Sequence, residues 1–270
     1  MAEITVNDVK LKYASIAEAR AMSGLRLILG ANAVPGPWRE ACKGIFYVKK
    51  IPYTPVASAG ADGSQRELIE WTAQASAPVA IYNDERPRST WVEQLFLAER
   101  LQPEPALIPA DIEERATMFG TINEIAGENG LGWQRRHGLI NATVSNPKAD
   151  ERTKKFWQRF GGKYGFSEAA AAAAPAKIAS ILKFLSARIE AQKAKGSRYF
   201  IGDRLTALDI YWTTFSALIQ PLPQELCPMA ANFRDFYTEK NPSVLAAMSP
   251  ALIAHRDFIY REHLELPIVF

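Results

Sequence analysis

The segment that decides the fold reads Tyr199-Phe-Ile-Gly-Asp-Arg-Leu-Thr-Ala-Leu-Asp-Ile-Tyr-Trp-Thr-Thr-Phe215. Thr206 and Asp209 are three residues apart, the spacing of a capping box, in which the carboxylate reaches back to the first residue's backbone N–H. Leu205 and Ile210 flank the box at the spacing of a hydrophobic staple. Because mainly apolar residues follow, the pattern predicts a buried helix with Thr206 and Asp209 as its structural cap.

The composition is that of a globular, core-forming protein. Of the 270 residues, 48% are hydrophobic and 23% charged, and 32 basic and 29 acidic residues leave a formal net charge of +3. No basic stripe of the kind that binds nucleic acid stands out. The opening residues lack the pattern of a secretory leader, and no apolar run approaches the ~20 residues of a membrane span. We therefore expect a soluble, cytoplasmic protein with no nucleic-acid or membrane partner.

The cysteines and histidines indicate neither a disulfide framework nor a metal site. Cys42 and Cys227 form no CxxC pair, which fits a reducing compartment. His137, His255 and His263 are isolated and lack the spacing of metal ligands. We expect no bound metal.

The first 102 residues alternate between strand and helix patterns. Pro37 suits the first position of a helix, where its missing N–H would be unpaired in any case. Ser89 is placed to cap a later helix, and Pro55 suggests an edge strand. Strands are expected at 25–29 and 77–82, and 51–56 is expected to contain a turn and then a strand. Helices are expected from Pro37, at 67–75 and after Ser89.

The remainder of the chain is predicted to be mainly helical. Gly127–Arg136 is interpreted as a flexible loop between helices, because it is rich in glycine and polar residues. Pro175 is expected to start or kink a helix. The helices are expected near 110–127, 150–161, 176–195, 206–220 and 230–262.

Together these features resemble the glutathione transferase superfamily. Phe200-Ile-Gly-Asp203 with its capping box is similar to the segment that opens the central helix of their all-helical domain. The strand and helix order resembles their thioredoxin-like domain, and Gln102-Pro-Glu-Pro105 resembles the linker. The resemblance implies an α/β thioredoxin-like domain followed by an all-α domain. The implied divisions are an N-terminal extension at 1–22, a glutathione-binding domain at 23–102, a linker at 103–105 and a helical domain at 106–270.

The resemblance also implies a glutathione site in the first domain. Ala77-Pro78 matches the family's pair of a residue and a cis-proline, whose backbone binds the cysteinyl unit. Ser89 matches the family's serine that binds the γ-glutamyl carboxylate at a helix start. The acidic residue usually found before that serine is replaced by Arg88, which could clamp a carboxylate, while Glu85 could bind the α-amine. An alternative is that Arg88 and Glu85 are solvated turn residues and Ser89 is a plain cap.

The catalytic position departs from the family. Its members carry a Ser, Cys or Tyr near the start of the first helix, and the matching residue here is Gly36. Asn32, the first-helix amides and Trp38 are the remaining candidates to stabilise a thiolate. Asn32 is equally a loop-stabilising residue, and Trp38 equally a core residue. Cys42 would be a redox candidate only if it faced the cleft.

A co-substrate pocket is the last expected element. Trp133 and Arg136 could line it, as an aromatic wall and a cation for an anionic electrophile; an alternative is that this segment only connects helices.

Three functions follow from the resemblance. The leading one is a homodimeric detoxifying transferase that conjugates glutathione, as co-substrate, to a small hydrophobic electrophile. The second is a non-catalytic binding or assembly module with the same fold. The third is a glutathione-dependent reductase that uses Cys42. The sequence does not identify the electrophile.

Overall fold

The computed structural model describes residues 10–30, 34–60 and 63–270, which form two compact units. The first unit contains the described residues up to Leu107 and two later stretches, Leu222–Ala231 and Tyr260–Phe270. The second unit contains Ile108–Pro221 and Asn232–Ile259. Both later stretches of the first unit were expected, from the sequence, to belong to the helical domain.

The first unit is built on a three-stranded sheet of order β2-β1-β3. The central strand β1 is parallel to β2 and antiparallel to β3. All four residues of β1 are buried, as expected for a short apolar strand covered on both faces. The elements are α1 (Ile16–Arg20), β1 (Leu25–Ile28), α2 (Pro37–Val48), β2 (Thr54–Val56), α3 (Arg66–Thr72), β3 (Val79–Tyr82) and α4 (Trp91–Leu101).

The N-terminal extension adds an arm to this unit. Ala14 forms a parallel bridge with Val56, and its N–H donates to the Pro55 carbonyl oxygen at 2.9 Å. The short helix α1 follows, and Ser15 and Glu18 form its capping box. Ile16 is buried in the core cluster of the unit. The arm therefore covers an edge of β2 that would otherwise expose unpaired backbone groups.

The starts of α2 and α4 follow from residues close together in the chain. The start of α2 was predicted correctly, whereas the cap of α4 is a different residue from the predicted one. Pro37 is the first residue of α2, as predicted. The cap of α4 is Thr90 rather than Ser89, which corrects the predicted cap: the side chain of Thr90 accepts from the Glu93 N–H, and the Glu93 side chain returns the bond. Thr90 prevails because only the residue three before a Glu or Gln can complete a capping box.

The second unit is helical. Its helices, with those that continue to the C-terminal stretch, are α5 (Ile112–Ala126), α6 (Leu131–Val144), α7 (Glu151–Gly162), α8 (Glu168–Ala194), α9 (Ala207–Phe215), α10 (Ala231–Tyr237), α11 (Pro242–Ala247) and α12 (Pro250–His263). The single helix expected at 230–262 is therefore wrong. Pro242 begins α11 behind an Asn241 cap that accepts from the Ser243 N–H at 3.0 Å, so the chain restarts there.

The prediction of a flexible loop at Gly127–Arg136 is also wrong. It is a tight turn followed by α6, which begins at Leu131. A Cβ at Gly130 would lie 2.6 Å from the Glu124 carbonyl oxygen, so the close return of the chain needs glycine. The sequence pattern did not indicate α6 because polar residues such as Gln134 and Arg135 are buried in it, which removes the usual amphipathic period.

Helix α8 is longer than predicted. It includes the six consecutive alanines at 169–174 and carries Pro175 in its interior, so Pro175 does not start a helix. With 27 residues, the helix is long enough and apolar enough to cross a membrane, but core helices of globular proteins also meet this criterion. In the second unit α8 packs against α6 and α11, and residues such as Leu182 and Leu185 are buried.

Candidate functional site

Three chain segments of the first unit meet at one edge of its sheet. Ile28, the last residue of β1, pairs with Val79, the first residue of β3. The chain that leaves β1 toward α2 therefore starts beside Pro78. Arg88 forms an antiparallel bridge with Ala80, so the chain runs back toward Pro78 before α4 begins. The start of β3 and the amino end of α4 thus converge, and Arg39 in the first turn of α2 bonds to the carbonyl oxygens of Leu29 and Gly30 at the same edge.

Gln94 of α4 holds this edge together. Its side-chain amide is buried and donates to the carbonyl oxygens of Pro78 at 3.1 Å and of Arg88 at 3.3 Å. The Ala77–Pro78 peptide is cis, as the sequence analysis expected. Gln94 was not predicted as a site residue. The one signal for it in the sequence is its position one turn after Thr90, because a side chain there points back toward the helix start.

The structure places Glu85 elsewhere. Glu85 lies in the turn that follows β3, at the opposite end of that strand from Pro78. Its carboxylate accepts from Arg100 Nη2 at 2.6 Å and from Arg88 Nη2 at 2.6 Å. Hydrogen bonds from Arg100 lower the pKa of Glu85. Arg88 therefore contacts Glu85 in this structure, and a role for either residue at a ligand stays a prediction.

Ser89 lies directly before the Thr90 cap. It is half-buried and follows the bridge between Arg88 and Ala80. Ser89 is therefore at the converging edge, as its predicted role requires, although the helix start is capped by its neighbour. Binding of a carboxylate by Ser89 stays a prediction.

The amino end of α2 carries a guanidinium that the sequence analysis overlooked. Trp38 is half-buried in the first turn, and Asn32 lies outside the described residues. Arg39 is buried, and its Nη1 donates to the carbonyl oxygens of Leu29 and Gly30, each at 2.9 Å. Nη2 donates to the Val34 carbonyl oxygen at 2.8 Å. No sequence motif marks Arg39, because its partners are backbone carbonyls of the preceding loop.

Cys42 does not face solvent or a cleft. Its side chain is fully buried in α2, and burial raises the pKa of its thiol above the ordinary value. Because the thiolate is the reactive form, the condition set for a reductase that uses Cys42 is not met. Cys227 is buried as well.

We therefore predict that neither cysteine reacts with an aromatic disulfide reagent in the folded protein at neutral pH. Burial should slow the reaction more than about 100-fold relative to free cysteine, because the reagent must wait for an opening of the structure. Both thiols should react at once in denaturant. Rapid release of one equivalent of chromophore from the native protein would contradict the burial of Cys42.

Trp133 and Arg136 pack inside the second unit, on α6. The ring of Trp133 meets that of Tyr164 edge-on with centroids 5.0 Å apart. Arg136 lies 5.8 Å from the ring centroid of Tyr237, and its Nη1 donates to the Tyr237 hydroxyl at 3.4 Å. The pair thus belongs to an aromatic cluster, and a role in a co-substrate pocket stays a prediction.

Thr206 and Asp209 form the predicted cap of α9. One carboxylate oxygen accepts from the Thr206 N–H and from the Thr206 hydroxyl, both at 2.8 Å. The other accepts from the Phe200 N–H at 2.9 Å and lies 2.9 Å from His255 Nε2. The last two contacts were not predicted, since they join residues distant from the box. Asp209 is fully buried and structural.

No metal site was found where the structure describes the chain. Within residues 10–30, 34–60 and 63–270, no three His, Cys, Asp or Glu side chains are grouped as ligands would be.

Solved structures match this chain over most of its length. A glutathione S-transferase from Methylobacillus flagellatus with glutathione bound has a TM-score of 0.60 and 11% identity, covering 88% of this chain and 96% of that chain. Rice GST1 in complex with glutathione has a TM-score of 0.58 and 16% identity, covering 91% and 93%. Glutathione transferase Omega 3C from Trametes versicolor has a TM-score of 0.55 and 14% identity, covering 94% and 91%. No protein-family model and no curated protein sequence matches the chain.

Proposed function

We propose that this chain, which has the glutathione transferase fold, binds glutathione at the converging edge of its first unit and transfers it to a small hydrophobic electrophile. The observation that carries the proposal is that the chain entering α4 and the chain leaving β1 both lie beside Pro78, and that Arg39 in the first turn of α2 bonds to the carbonyl oxygens that directly follow β1. Helix amino ends attract anions through their N–H groups and dipole. Glutathione presents carboxylates and an ionisable thiol, so it suits such an edge.

The backbone beside Pro78 would pair with the cysteinyl unit of glutathione, and Ser89 would take the γ-glutamyl carboxylate. Rice GST1 and the Methylobacillus protein are described with glutathione bound, which supports a ligand of this class. In the reaction, the thiol loses its proton to water and the sulfur forms a bond to carbon. With a chloronitroaromatic substrate the carbon–chlorine bond breaks and chloride leaves.

The amides at the start of α2, with Asn32 and Trp38, would stabilise the thiolate. Trp133 and Arg136 would line the space for the co-substrate. From the resemblance we also expect a cytoplasmic location, a homodimer and a role in detoxification.

A second candidate is a binding or assembly module that does not catalyse. One observation favours it: Gly36 occupies the position at which the family carries a reactive hydroxyl or thiol. Such a module would keep the fold, with or without the ligand site, and would not turn glutathione over.

The experiment measures glutathione binding by calorimetry and conjugation of a chloronitroaromatic substrate by absorbance. We expect binding at millimolar glutathione, weakened about tenfold in Ser89→Ala because one polar contact to a carboxylate is lost. Ser145→Ala is the matched control, since Ser145 is exposed in the second unit and its hydroxyl donates to Asn141 Oδ1.

The outcomes separate the candidates. Binding with turnover supports the transferase. Binding without turnover for a range of electrophiles supports the module. A folded protein that does not bind millimolar glutathione contradicts the transferase and leaves an assembly module without a ligand site.

A further inference from the structure

Helix α7 (Glu151–Gly162) of the second unit leaves most of its surface in solvent. All 12 of its residues are described by the structure, and of these Gly161 alone is buried. Its large apolar side chains are aromatic, and Phe156, Trp157 and Phe160 recur at the i, i+1 and i+4 positions of one helix face. The helix is therefore amphipathic, but its apolar face is not covered as that of a core helix is.

The aromatic face of α7 has an inner and an outer edge. At the inner edge the ring centroid of Trp157 lies 5.4 Å from that of Phe236, and Phe160 lies 5.2 Å from Tyr164. At the outer edge Phe156 stacks on Phe160 with centroids 6.3 Å apart. Phe156 is 62% exposed. The aromatic packing of the unit thus continues outward into solvent, where an exposed ring favours an apolar partner.

The charged residues of the same helix are almost all basic. Four basic residues and one acidic residue give α7 a formal net charge of +3, which equals that of the whole chain, so the other residues balance. Lys154 lies 3.5 Å from Glu151. Arg152, Lys155 and Arg159 are exposed, and within the described part of the chain they form no ion pair. The excess positive charge of the protein is therefore concentrated on this helix.

These cations surround the exposed ring. Arg152 is four residues before Phe156 and Arg159 is three residues after it, so both lie on the same side of the helix as the ring. Lys155 is the residue directly before the ring. Such an arrangement is complementary to a surface that is negative outside and apolar beneath. Anionic lipid headgroups above acyl chains form a surface of this kind.

We propose that α7 binds the surface of anionic membranes, with the Phe156 ring at the acyl boundary and Arg152, Lys155 and Arg159 among the headgroups. The sequence led us to expect no membrane partner because no apolar run approaches the length of a span. A helix that lies within the headgroup layer needs no such run. The proposal does not depend on glutathione binding.

A lipid surface fits the helix better than the other possible occupants. Nucleic acid phosphates would pair with the cations, but one face of the Phe156 ring is turned to Phe160, which limits base stacking. A second copy of the chain would place the same patch against itself in a two-fold dimer, and the unpaired cations would repel. Lipids supply the negative charge and also rearrange around an exposed ring.

The test measures sedimentation of the full chain with vesicles of phosphatidylcholine, either pure or with about 30 mol% phosphatidylserine. One variant combines Arg152→Gln with Arg159→Gln, and a second is Phe156→Ser. Far-ultraviolet circular dichroism checks that each variant is folded. Binding to single-stranded DNA at a matched phosphate concentration and the oligomeric state by analytical ultracentrifugation are measured in parallel.

The controls change the same chemistry elsewhere. The combination of Arg66→Gln with Arg261→Gln removes an equal charge from two exposed arginines that form surface ion pairs with acidic neighbours. Ile112→Ser removes an apolar side chain that is 64% exposed, but Asp111 and Glu113 lie beside it in the chain. An anionic surface should therefore not bind at Ile112.

We expect the wild-type protein to bind the anionic vesicles at least about tenfold more tightly than the neutral ones, and to be released by high salt. Each basic side chain near such a surface contributes about fivefold. The combined Arg152→Gln and Arg159→Gln variant should therefore bind about 25-fold more weakly. Phe156→Ser should lose about fivefold, because the ring no longer enters the apolar layer. Both controls should stay within about threefold of wild type.

Four results would overturn the proposal. The first is a folded wild-type protein that does not bind the anionic vesicles. The second is an equal loss in the two double-arginine variants, which would make net charge rather than α7 responsible. The third is tighter binding to DNA than to vesicles, lost with Arg152 and Arg159. The fourth is a dimer that Phe156→Ser dissociates. If the double variant of α7 does not fold, Phe156→Ser decides, and unchanged vesicle binding in it contradicts the proposal.

Discussion

Asp209→Asn is expected to lower the free energy of unfolding by about 3 to 5 kcal/mol, because a buried, fully bonded acceptor is lost. The carboxylate accepts from the backbone of Phe200, from the backbone and hydroxyl of Thr206, and from His255. Asparagine has one acceptor oxygen, and its amide nitrogen would face donors. A domain of this kind has a total stability of about 5 to 15 kcal/mol, so the loss is a large part of it.

Urea unfolding followed by tryptophan fluorescence measures the effect. Asp111→Asn is the matched control, because Asp111 caps α5 at an exposed position and accepts from the Glu113 and Glu114 N–H groups. Asparagine caps a helix about as well as aspartate, so the control should change stability by less than about 0.5 kcal/mol. If the two variants lose the same free energy, Asp209 does not hold the segment as described.

Lys49→Met is expected to lower the free energy of unfolding by about 3 to 4 kcal/mol, because contacts within the first unit are lost. Lys49 Nζ donates to the carbonyl oxygens of Gln102 at 2.7 Å and Pro105 at 2.9 Å, and it lies 2.7 Å from Glu99 Oε1. Its side chain is fully buried. Methionine fills the same length but leaves these acceptors without a donor, so the chain at 102–105 should also become more sensitive to protease.

Lys50→Met is the control, since Lys50 is the next residue and is exposed. It should leave both urea stability and the protease pattern near those of wild type, with a change below about 0.5 kcal/mol. Equal sensitivity of the two variants would show that the contacts of Lys49 do not hold the 102–105 segment.

Local patterns predicted much of the fold. The capping box at Thr206 and Asp209, the start of α2 at Pro37 and the buried strand β1 were predicted correctly, because each depends on residues close together in the chain. The misplaced cap of α4 shows the limit of such reasoning. Ser89 and Thr90 are both good capping residues, and only Glu93 distinguishes them.

Helix α6 was missed for a different reason. The usual signal of a helix is an apolar stripe, and burial of polar residues hides it. Arg135 can be buried because two partners satisfy its guanidinium: its Nε donates to the Leu218 carbonyl oxygen at 2.8 Å and lies 3.2 Å from the Glu239 carboxylate. Those partners are distant from Arg135 in the chain, so no local sequence pattern predicts the contacts.

The sequence by itself determined the order of strands and helices from β1 to α4, the cap of α9 and the resemblance to glutathione transferases, since short-range spacing encodes all three. Only the tertiary structure decided that Cys42 is buried, that Asp209 also binds Phe200 and His255, and that the guanidinium of Arg39 lies against Gly36. These facts depend on which distant groups the fold brings into contact, and spacing along the chain does not encode them.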